Sequence, residues 1–140
     1  ATSKMIWGCQ WDEICKFIAN KGYTNSNSNT YGNYKDSAVI GNDGETTIKA
    51  SDSQTKIKTG ITTYTKTCNI YDLAGNCWEW TSSVIKATNG AESGKDVNAI
   101  RGGSWYANMR SCQATFRGEG RRPDGCYNTV GFRLAATPKK

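Results

Sequence analysis

Six cysteines carry the most versatile chemistry in this chain, because thiols can form disulfides, bind metals or attack substrates. They are Cys9, Cys15, Cys68, Cys77, Cys112 and Cys126. The chain has no histidine and no Cys-x-x-Cys pair, so cysteine–histidine zinc sites are excluded and thioredoxin-type chemistry lacks its usual signature. In a secreted protein, Cys68–Cys77 and Cys112–Cys126 would be plausible disulfides. The alternative is that the cysteines serve as small buried apolar residues.

The remaining polar residues do not form a recognisable catalytic set. Histidine, the usual general base, is absent, and no pair of carboxylates stands out for acid–base work. Gly118-Glu119-Gly120 is too short to form a phosphate-binding loop. These observations predict that the chain is not an enzyme.

A polar interval lies between two apolar, glycine-containing segments near the C-terminus. Residues 101–105 (Arg-Gly-Gly-Ser-Trp) precede it and residues 131–135 (Gly-Phe-Arg-Leu-Ala) follow it. Within it, Tyr106, Phe116 and Tyr127 are mixed with serine, glycine, asparagine and arginine. This composition is typical of adaptable contact surfaces, in which rigid aromatic rings act as anchors. The alternative is an ordinary set of solvent-exposed loops whose aromatic rings point inward.

Length and composition indicate a single domain covering residues 1–140. The net charge is +6, but the lysines are scattered and only the arginines of the polar interval cluster. We therefore expect a solvated exterior and no nucleic-acid partner, since no known nucleic-acid-binding motif surrounds those arginines. No run of about 18 apolar residues is present, so we expect no membrane insertion.

Local patterns predict the elements that must position these residues. Residues 11–20 show helical spacing of Trp11, Ile14, Phe17 and Ile18, with acidic residues in the first turn and Lys21-Gly22 at the end. Residues 23–60 predict a long polar surface loop, or an excursion that packs through Tyr23, Tyr31 and Tyr34. Residues 78–80, 97–105 and 129–135 predict strands, with Gly102-Gly103 allowing close backbone approach or a bulge.

Three segments together resemble the formylglycine-generating-enzyme/sulfatase-modifying family. They are residues 69–81 (Asn-Ile-Tyr-Asp-Leu-Ala-Gly-Asn-Cys-Trp-Glu-Trp-Thr), 101–105 and 131–135, in the order and rough spacing that the family has. The resemblance implies an α+β, C-type-lectin-like fold, loop-rich, with a small antiparallel sheet and one or two helices. Fold alone does not determine function, so the site must decide between three possibilities.

The first possibility is a copper-dependent oxidase. Members that convert a sulfatase cysteine to formylglycine use two closely spaced cysteines after the Arg-Gly-Gly-Ser motif. The resemblance places the first at Ala107, which has no thiol, while Cys112 is present. A single thiol lacks the second sulfur that this copper chemistry needs. We therefore expect no catalysis.

The second possibility is a diversified binding module, because residues 106–129 resemble the variable region of diversity-generating-retroelement target proteins. In such proteins, exposed positions vary between fixed ones, for which Cys112, Ala114, Arg117 and Pro123-Asp124 are the counterparts here. The implied ligand-binding positions are Tyr106, Ala107, Asn108, Arg110, Ser111, Phe116, Gly118, Gly120, Arg121, Gly125, Tyr127, Asn128 and Thr129. The implied partner is a protein or glycan on a target cell, and the implied location is a virion, a bacterial surface or the secreted fraction.

The third possibility is a calcium-stabilised surface or pilus module without a diversified site. The resemblance implies a calcium site made of the Asp72 and Glu79 side chains and the carbonyls of Gly75 and Cys77, a donor set that calcium favours. No cofactor is required otherwise. The alternative is that Asp72 caps a turn and that Glu79 pairs with a nearby lysine or arginine.

Overall fold

The computed structural model describes residues 2–122 and 124–137, without the side chains of Arg121 and Thr137. It contains one α-helix, α1 (Gly8–Asn20), among these residues. The strands are β1 (Thr2–Met5), β2 (Val39–Ile40), β3 (Thr47–Lys49), β4 (Lys66–Thr67), β5 (Ile70–Tyr71), β6 (Trp78–Lys86), β7 (Asp96–Arg101), β8 (Arg117–Arg121), β9 (Val130–Phe132) and β10 (Leu134–Thr137). Short 3-10 helices lie at Asn25–Thr30, Thr63–Thr65, Gly90–Glu92 and Met109–Ser111. The α+β class predicted from the sequence is confirmed.

Helix α1 begins three residues earlier than predicted, because two side chains satisfy backbone N–H groups at its start. The side chain of Gln10 accepts a hydrogen bond from the Trp7 N–H at 2.9 Å, and Ser83 Oγ accepts one from the Gly8 N–H at 2.9 Å. The acidic residues at 12 and 13 therefore lie beyond the first turn, and that part of the prediction is wrong. The helix ends as predicted, before Gly22, whose φ is +92°.

The central sheet has the strand order β8-β7-β6-β9. Strands β6, β7 and β8 pair antiparallel, whereas β9 lies parallel to β6 with Trp80 opposite Phe132. The predicted strand at 97–105 is shorter than expected, since it ends at Arg101 and the chain turns through Gly102-Gly103. Both glycines have positive φ, and a Cβ on Gly103 would lie 2.6 Å from Tyr34 Cε1. The predicted close backbone approach is confirmed.

The hydrophobic core lies between α1, the loop that carries Tyr31 and Tyr34, and the turn after β7. It contains Trp11, Ile18, Tyr31, Tyr34 and Ala114, all buried. The prediction that the long loop packs through its tyrosines is thus confirmed for Tyr31 and Tyr34.

Two further expectations about exposure are wrong. Phe17 is 48% exposed, because only one side of α1 is covered and the helix turns this ring toward solvent. Lys49, which the sequence assigns to the solvated exterior, is only 3% exposed because the loop on either side of β3 closes around it.

The predicted closing strand is two strands, β9 and β10, separated by Arg133. The break lies where the chain leaves the central sheet after β9, and the Arg133 side chain there binds the carboxylate of Glu79. Strand β10 then pairs antiparallel with β1, with Met5 opposite Leu134, so both ends of the described chain share one two-stranded sheet.

All six cysteines are free thiols. The pairings suggested for Cys68–Cys77 and Cys112–Cys126 are therefore not formed. Cys15 is buried in the core, and Cys68 and Cys112 pack against it, so the alternative of an apolar packing role applies to these three.

Candidate functional site

The outer face of the central sheet is aromatic. Side chains alternate along β6, so Trp78 and Trp80 point away from the face that carries the buried Glu79. Trp80 is opposite Phe132 on one neighbouring strand and opposite Ile100 on the other. Phe132 is 65% exposed. Ile100 is buried and both tryptophans are half-buried, so Phe132 is the side chain of this apolar row that is most open to solvent.

Two rings from the predicted contact region pack against these tryptophans. Phe116 lies 6.0 Å from Trp78, between ring centroids, and Tyr127 lies 6.4 Å from Trp80, both in tilted geometry. Phe116 remains 45% exposed and Tyr127 37% exposed. We call Trp78, Trp80, Phe116, Tyr127 and Phe132 the aromatic face.

A second exposed segment lies at residues 106–111. Tyr106 is 58% exposed and meets the Trp105 ring edge-on at 5.6 Å. Asn108, Arg110 and Ser111 are also exposed, whereas Met109 between them is buried in the core. This alternation gives the segment a buried inner side and a solvent-exposed outer side.

Two of the predicted ligand-binding positions cannot contribute side chains to an exposed surface. Gly118 and Gly120 are buried in β8. A Cβ on Gly118 would lie 2.9 Å from Ile100 Cγ1, and one on Gly120 would overlap the carbonyl oxygen of Asn98. Their assignment as diversified positions is wrong, because pairing of β8 with β7 leaves no space there.

The other predicted ligand-binding positions fall into three groups. Asn128 is exposed, like Tyr127, its neighbour in the chain. Ala107, Gly125 and Thr129 are half-buried. The side chain of Arg121, together with the turn residue Pro123, lies outside the described residues.

Of the two thiols that the copper-dependent oxidases use, this chain has a counterpart only in Cys112, whose reactivity is low. Ala107 stands where the family has the first thiol, and its carbonyl accepts a hydrogen bond from the Lys35 N–H at 3.0 Å. Burial raises the pKa of the Cys112 thiol to about 11, so the thiol is protonated at neutral pH. Cys112 packs against the core beside Ala114, as a fixed anchor would.

The implied calcium ligands include two buried carboxylates, of which one has hydrogen-bond partners and the other has none among the described residues. Arg133 binds Glu79 through two hydrogen bonds, Nε to Oε2 at 2.8 Å and Nη2 to Oε1 at 2.6 Å. Burial raises the pKa of Glu79, the Arg133 charge opposes that shift, and the nearby Asp72 adds to it. The alternative that Glu79 pairs with a basic residue is thus confirmed.

Asp72 differs from Glu79, since both of its carboxylate oxygens are buried without a hydrogen-bond partner among the described residues. It adopts φ +52°, in the turn that follows β5. Buried acceptors are normally paired, so this carboxylate suits a cation or water. A pocket of about 190 Å³ is lined by Asp72, Cys77 and Glu79, while Gly75 packs against Asn33. Of the two implied carboxylate ligands, Asp72 therefore has oxygens available to a cation such as calcium, whereas both Glu79 oxygens are bound by Arg133.

Within residues 2–122 and 124–137, no three cysteine or carboxylate side chains converge in a way that could hold a metal ion. In the same part of the chain, no helix has the length and apolar composition that a membrane span requires.

The Trp-Glu-Trp and Gly-Phe-Arg segments, which the sequence predicts as scaffold, also provide three of the five rings of the aromatic face. The alternation in residues 78–80 was the available signal, because it puts both indoles on one side of a strand. Which side faces solvent depended on the position of the core.

Solved structures identify the fold. Treponema denticola variable protein 1 superposes with a TM-score of 0.61 at 18% identity, over 97% of this chain and 48% of that chain. The fold is thus C-type-lectin-like, as expected. At this level of identity the likeness concerns fold alone.

Sequence comparisons identify the family. The Sulfatase-modifying factor enzyme 1-like domain matches residues 10–138. The chain is 36% identical over 74 residues to the mouse protein "Inactive C-alpha-formylglycine-generating enzyme 2", covering 49% of this chain and 22% of that protein. The bovine protein of the same name is 37% identical over 73 residues, covering 48% and 22%. The chain thus spans about a fifth of the length of these relatives. Since the domain match covers most of the chain, the chain belongs to the Sulfatase-modifying factor enzyme 1-like domain family.

Proposed function

We propose that this chain is a non-catalytic ligand-binding domain whose contact surface combines the aromatic face with the exposed segment at 106–111. The observation that carries the proposal is the packing of Phe116 against Trp78 and of Tyr127 against Trp80 while both rings remain partly exposed. Rings packed in this way are held in place before binding and offer large contact area at low entropic cost. A partner that covers them would remove that apolar area from water.

We further propose that this surface is diversified, as in retroelement target proteins. The support is that residues 106–129 contain both tightly packed positions and solvent-exposed positions. Met109 and Ala114 are buried, and Gly118 and Gly120 pack against β7. The exposed side chains lie between these fixed points. Such an arrangement lets surface residues change without disturbing the core.

The proposed partner is a protein or glycan on a target cell, and the proposed location is the surface of a virion or bacterium. Asparagine, serine and arginine beside the rings can hydrogen-bond either class of partner. The competing structural-module hypothesis predicts no ligand for this face.

Two libraries test whether the surface tolerates diversification. The first randomises the exposed positions Tyr106, Asn108, Arg110, Ser111, Phe116, Tyr127 and Asn128. The matched control library randomises the buried positions Met109, Ala114, Gly118 and Gly120. Displayed variants of the first library should mostly survive a protease challenge, and those of the second should mostly be lost. Equal losses in the two libraries would contradict the proposal.

The neighbouring DNA tests diversification in nature. A template repeat beside a reverse-transcriptase gene, and related copies that differ only at asparagine-templated codons within 106–129, are the expected result. Copies that differ evenly along the whole chain would exclude diversification of this surface.

Binding is tested with the biotinylated domain tetramerised on streptavidin, applied to bacterial cells and to a glycan array. A variant carrying Tyr106→Ala, Phe116→Ala and Tyr127→Ala is the matched control. Staining by the natural sequence that the variant lacks supports the proposed face. Staining that the variant retains would place binding elsewhere.

The non-catalytic part of the proposal rests on Ala107 and on the protonated, half-buried Cys112. It is consistent with the word "inactive" in the names of the mouse and bovine relatives. The test is incubation with copper and a cysteine-containing sulfatase peptide. Conversion of that cysteine to formylglycine, seen by mass spectrometry, would overturn this part.

We also propose that calcium binds beside Asp72 and stabilises the turn between β5 and β6. The support is the buried, unpartnered Asp72 carboxylate next to the Glu79–Arg133 pair. Calcium should raise the melting temperature, and chelation should reverse the rise. Asp72→Asn should abolish the effect, while Asp96→Asn, which alters an exposed surface ion pair, should preserve it. A melting temperature that calcium leaves unchanged would rule the site out.

A further inference from the structure

The side-chain ammonium of Lys49 lies inside a shell of backbone carbonyl oxygens. Lys49 is 3% exposed, at the end of β3. Its Nζ lies within hydrogen-bonding distance of the carbonyl oxygens of Ser37 (2.6 Å), Tyr34 (2.8 Å), Ser53 (3.1 Å), Ala50 (3.2 Å) and Lys35 (3.5 Å). We call these five oxygens and the nitrogen the Lys49 cage.

The shell contains more acceptors than an ammonium group has N–H bonds. An ammonium has three donors, so five oxygens around it resemble ion coordination more than a set of directional hydrogen bonds. Burial lowers the pKa of Lys49, whereas the nearby charges of Asp36 and Asp52 oppose that shift. Both aspartates also make the region attractive to a cation in general.

The cage supports a loop that contacts the candidate binding surface. Tyr34 donates its hydroxyl hydrogen to the Gly102 carbonyl at 2.9 Å. The Lys35 N–H donates to the Ala107 carbonyl at 3.0 Å, and the Asp36 carboxylate accepts the Met109 N–H at 2.9 Å. Lys35 and Asp36 thus hold the backbone of residues 107–109, and the carbonyls of Tyr34 and Lys35 belong to the cage.

We infer that the loop around β3 forms an oxygen-lined cation site whose resident cation is the Lys49 ammonium, and that shortening this side chain opens the site to a free monovalent cation of ammonium size. The ligands are neutral carbonyls and the charge to be replaced is single, which favours K⁺ or NH₄⁺ over a divalent ion. The effect of the cage on residues 107–109 as part of a binding surface rests on the proposed function. The cation site itself does not.

The first experiment compares two variants in salts of equal ionic strength. Lys49→Ala leaves space for an ion, whereas the matched control Lys49→Met fills that space with an uncharged chain of similar length. Both should melt about 10 °C below the natural sequence in choline chloride, because buried carbonyls lose their partner. KCl or NH₄Cl should restore at least half of the loss for Lys49→Ala and none for Lys49→Met. Equal melting of Lys49→Ala in all salts, or an equal response of Lys49→Met, would overturn the inference.

A measurement on the natural sequence covers the case in which the variants do not fold. The enclosed ammonium should resist reductive methylation in the folded domain, while Lys4, on exposed β1, should be modified at least about tenfold faster. Modification of Lys49 at the rate of Lys4 would overturn the inference.

Amide hydrogen exchange tests the link to the candidate surface. Exchange of the Lys35 and Met109 amides should accelerate in Lys49→Ala in choline chloride and slow again in KCl. Unchanged exchange at these amides in a folded Lys49→Ala variant would contradict the link. These measurements need no ligand, so they remain valid if no ligand for the aromatic face is found. If they contradict the cation site, the aromatic face is still tested by its own binding experiment.

Discussion

Arg133 and Glu79 form a bidentate ion pair, and a further hydrogen bond from Arg133 links this pair to a third segment of the chain. The guanidinium binds both carboxylate oxygens, at 2.8 Å and 2.6 Å, and also donates to the Tyr71 carbonyl at 2.8 Å. Arg133 lies between β9 and β10, Glu79 lies in β6 and Tyr71 lies in β5. The pair is largely withdrawn from solvent, with the side chains 24% and 10% exposed.

Arg133→Ala should destabilise the domain by about 3 kcal/mol, because it leaves the buried Glu79 carboxylate without its partner. Chemical denaturation measures this difference as a shift of the midpoint. The control is Lys86→Ala, which removes a surface ion pair to Asp96 and should cost less than about 1 kcal/mol. Similar costs for the two variants would show that the Arg133 pair is no stronger than a surface contact.

Gly120→Ala should leave the domain mostly unfolded, with a loss of more than about 3 kcal/mol. The added methyl group would overlap the Asn98 carbonyl, which belongs to the neighbouring strand β7. The matched control is Gly131→Ala, where the nearest atom to an added Cβ is Cys77 Cβ at 3.8 Å. Circular dichroism melting of both variants checks the contrast. A normally folded Gly120→Ala would contradict the assignment of Gly120 as a fixed position.

The thiols should differ in reactivity according to burial. At neutral pH, iodoacetamide should modify the exposed Cys9 and Cys126 at least about tenfold faster than Cys112. The physical reason is that burial raises the pKa of the Cys112 thiol to about 11 and also limits access. Peptide mass spectrometry after timed quenching gives the rates, and the denatured chain is the control in which all cysteines should react alike.

The three exposed rings of the contact region should contribute unequally to stability. Tyr106→Ala should change the free energy of unfolding by less than about 0.5 kcal/mol, because its ring contacts Trp105, its neighbour in the chain, and that contact can also form in the unfolded state. Phe116→Ala and Tyr127→Ala should each cost about 1 kcal/mol, since each removes a ring packed against a tryptophan that is distant in the chain. Urea denaturation of the single variants measures these values. A loss above about 3 kcal/mol for any one would mean that the ring belongs to the core rather than to a surface.

Local sequence patterns were sufficient for much of the scaffold. The spacing of Trp11 and Ile18 predicted α1, and Gly22 predicted its end, because helical periodicity and glycine caps act over a few residues. The glycines at 102 and 103 predicted a tight backbone contact. The order of the three motifs implied the family and the C-type-lectin-like fold.

Other features depended on contacts between residues far apart in the chain. The start of α1 depended on Ser83, which is distant in sequence. The solvent exposure of Phe17 depended on which side of α1 the core covers, a choice that periodicity alone leaves open. The burial of Gly118 and Gly120 depended on β8 pairing with β7.

The amino-acid sequence by itself therefore determined the helix, the tight glycine turn, the family and the polar interval in which the contact surface is proposed. Tertiary structure decided which residues of that region face solvent, that the tryptophans at 78 and 80 underlie it, and that Lys49 is enclosed by carbonyl oxygens. The reason is that periodicity and turn chemistry act between near neighbours. Burial and charge pairing are set instead by which distant segments meet.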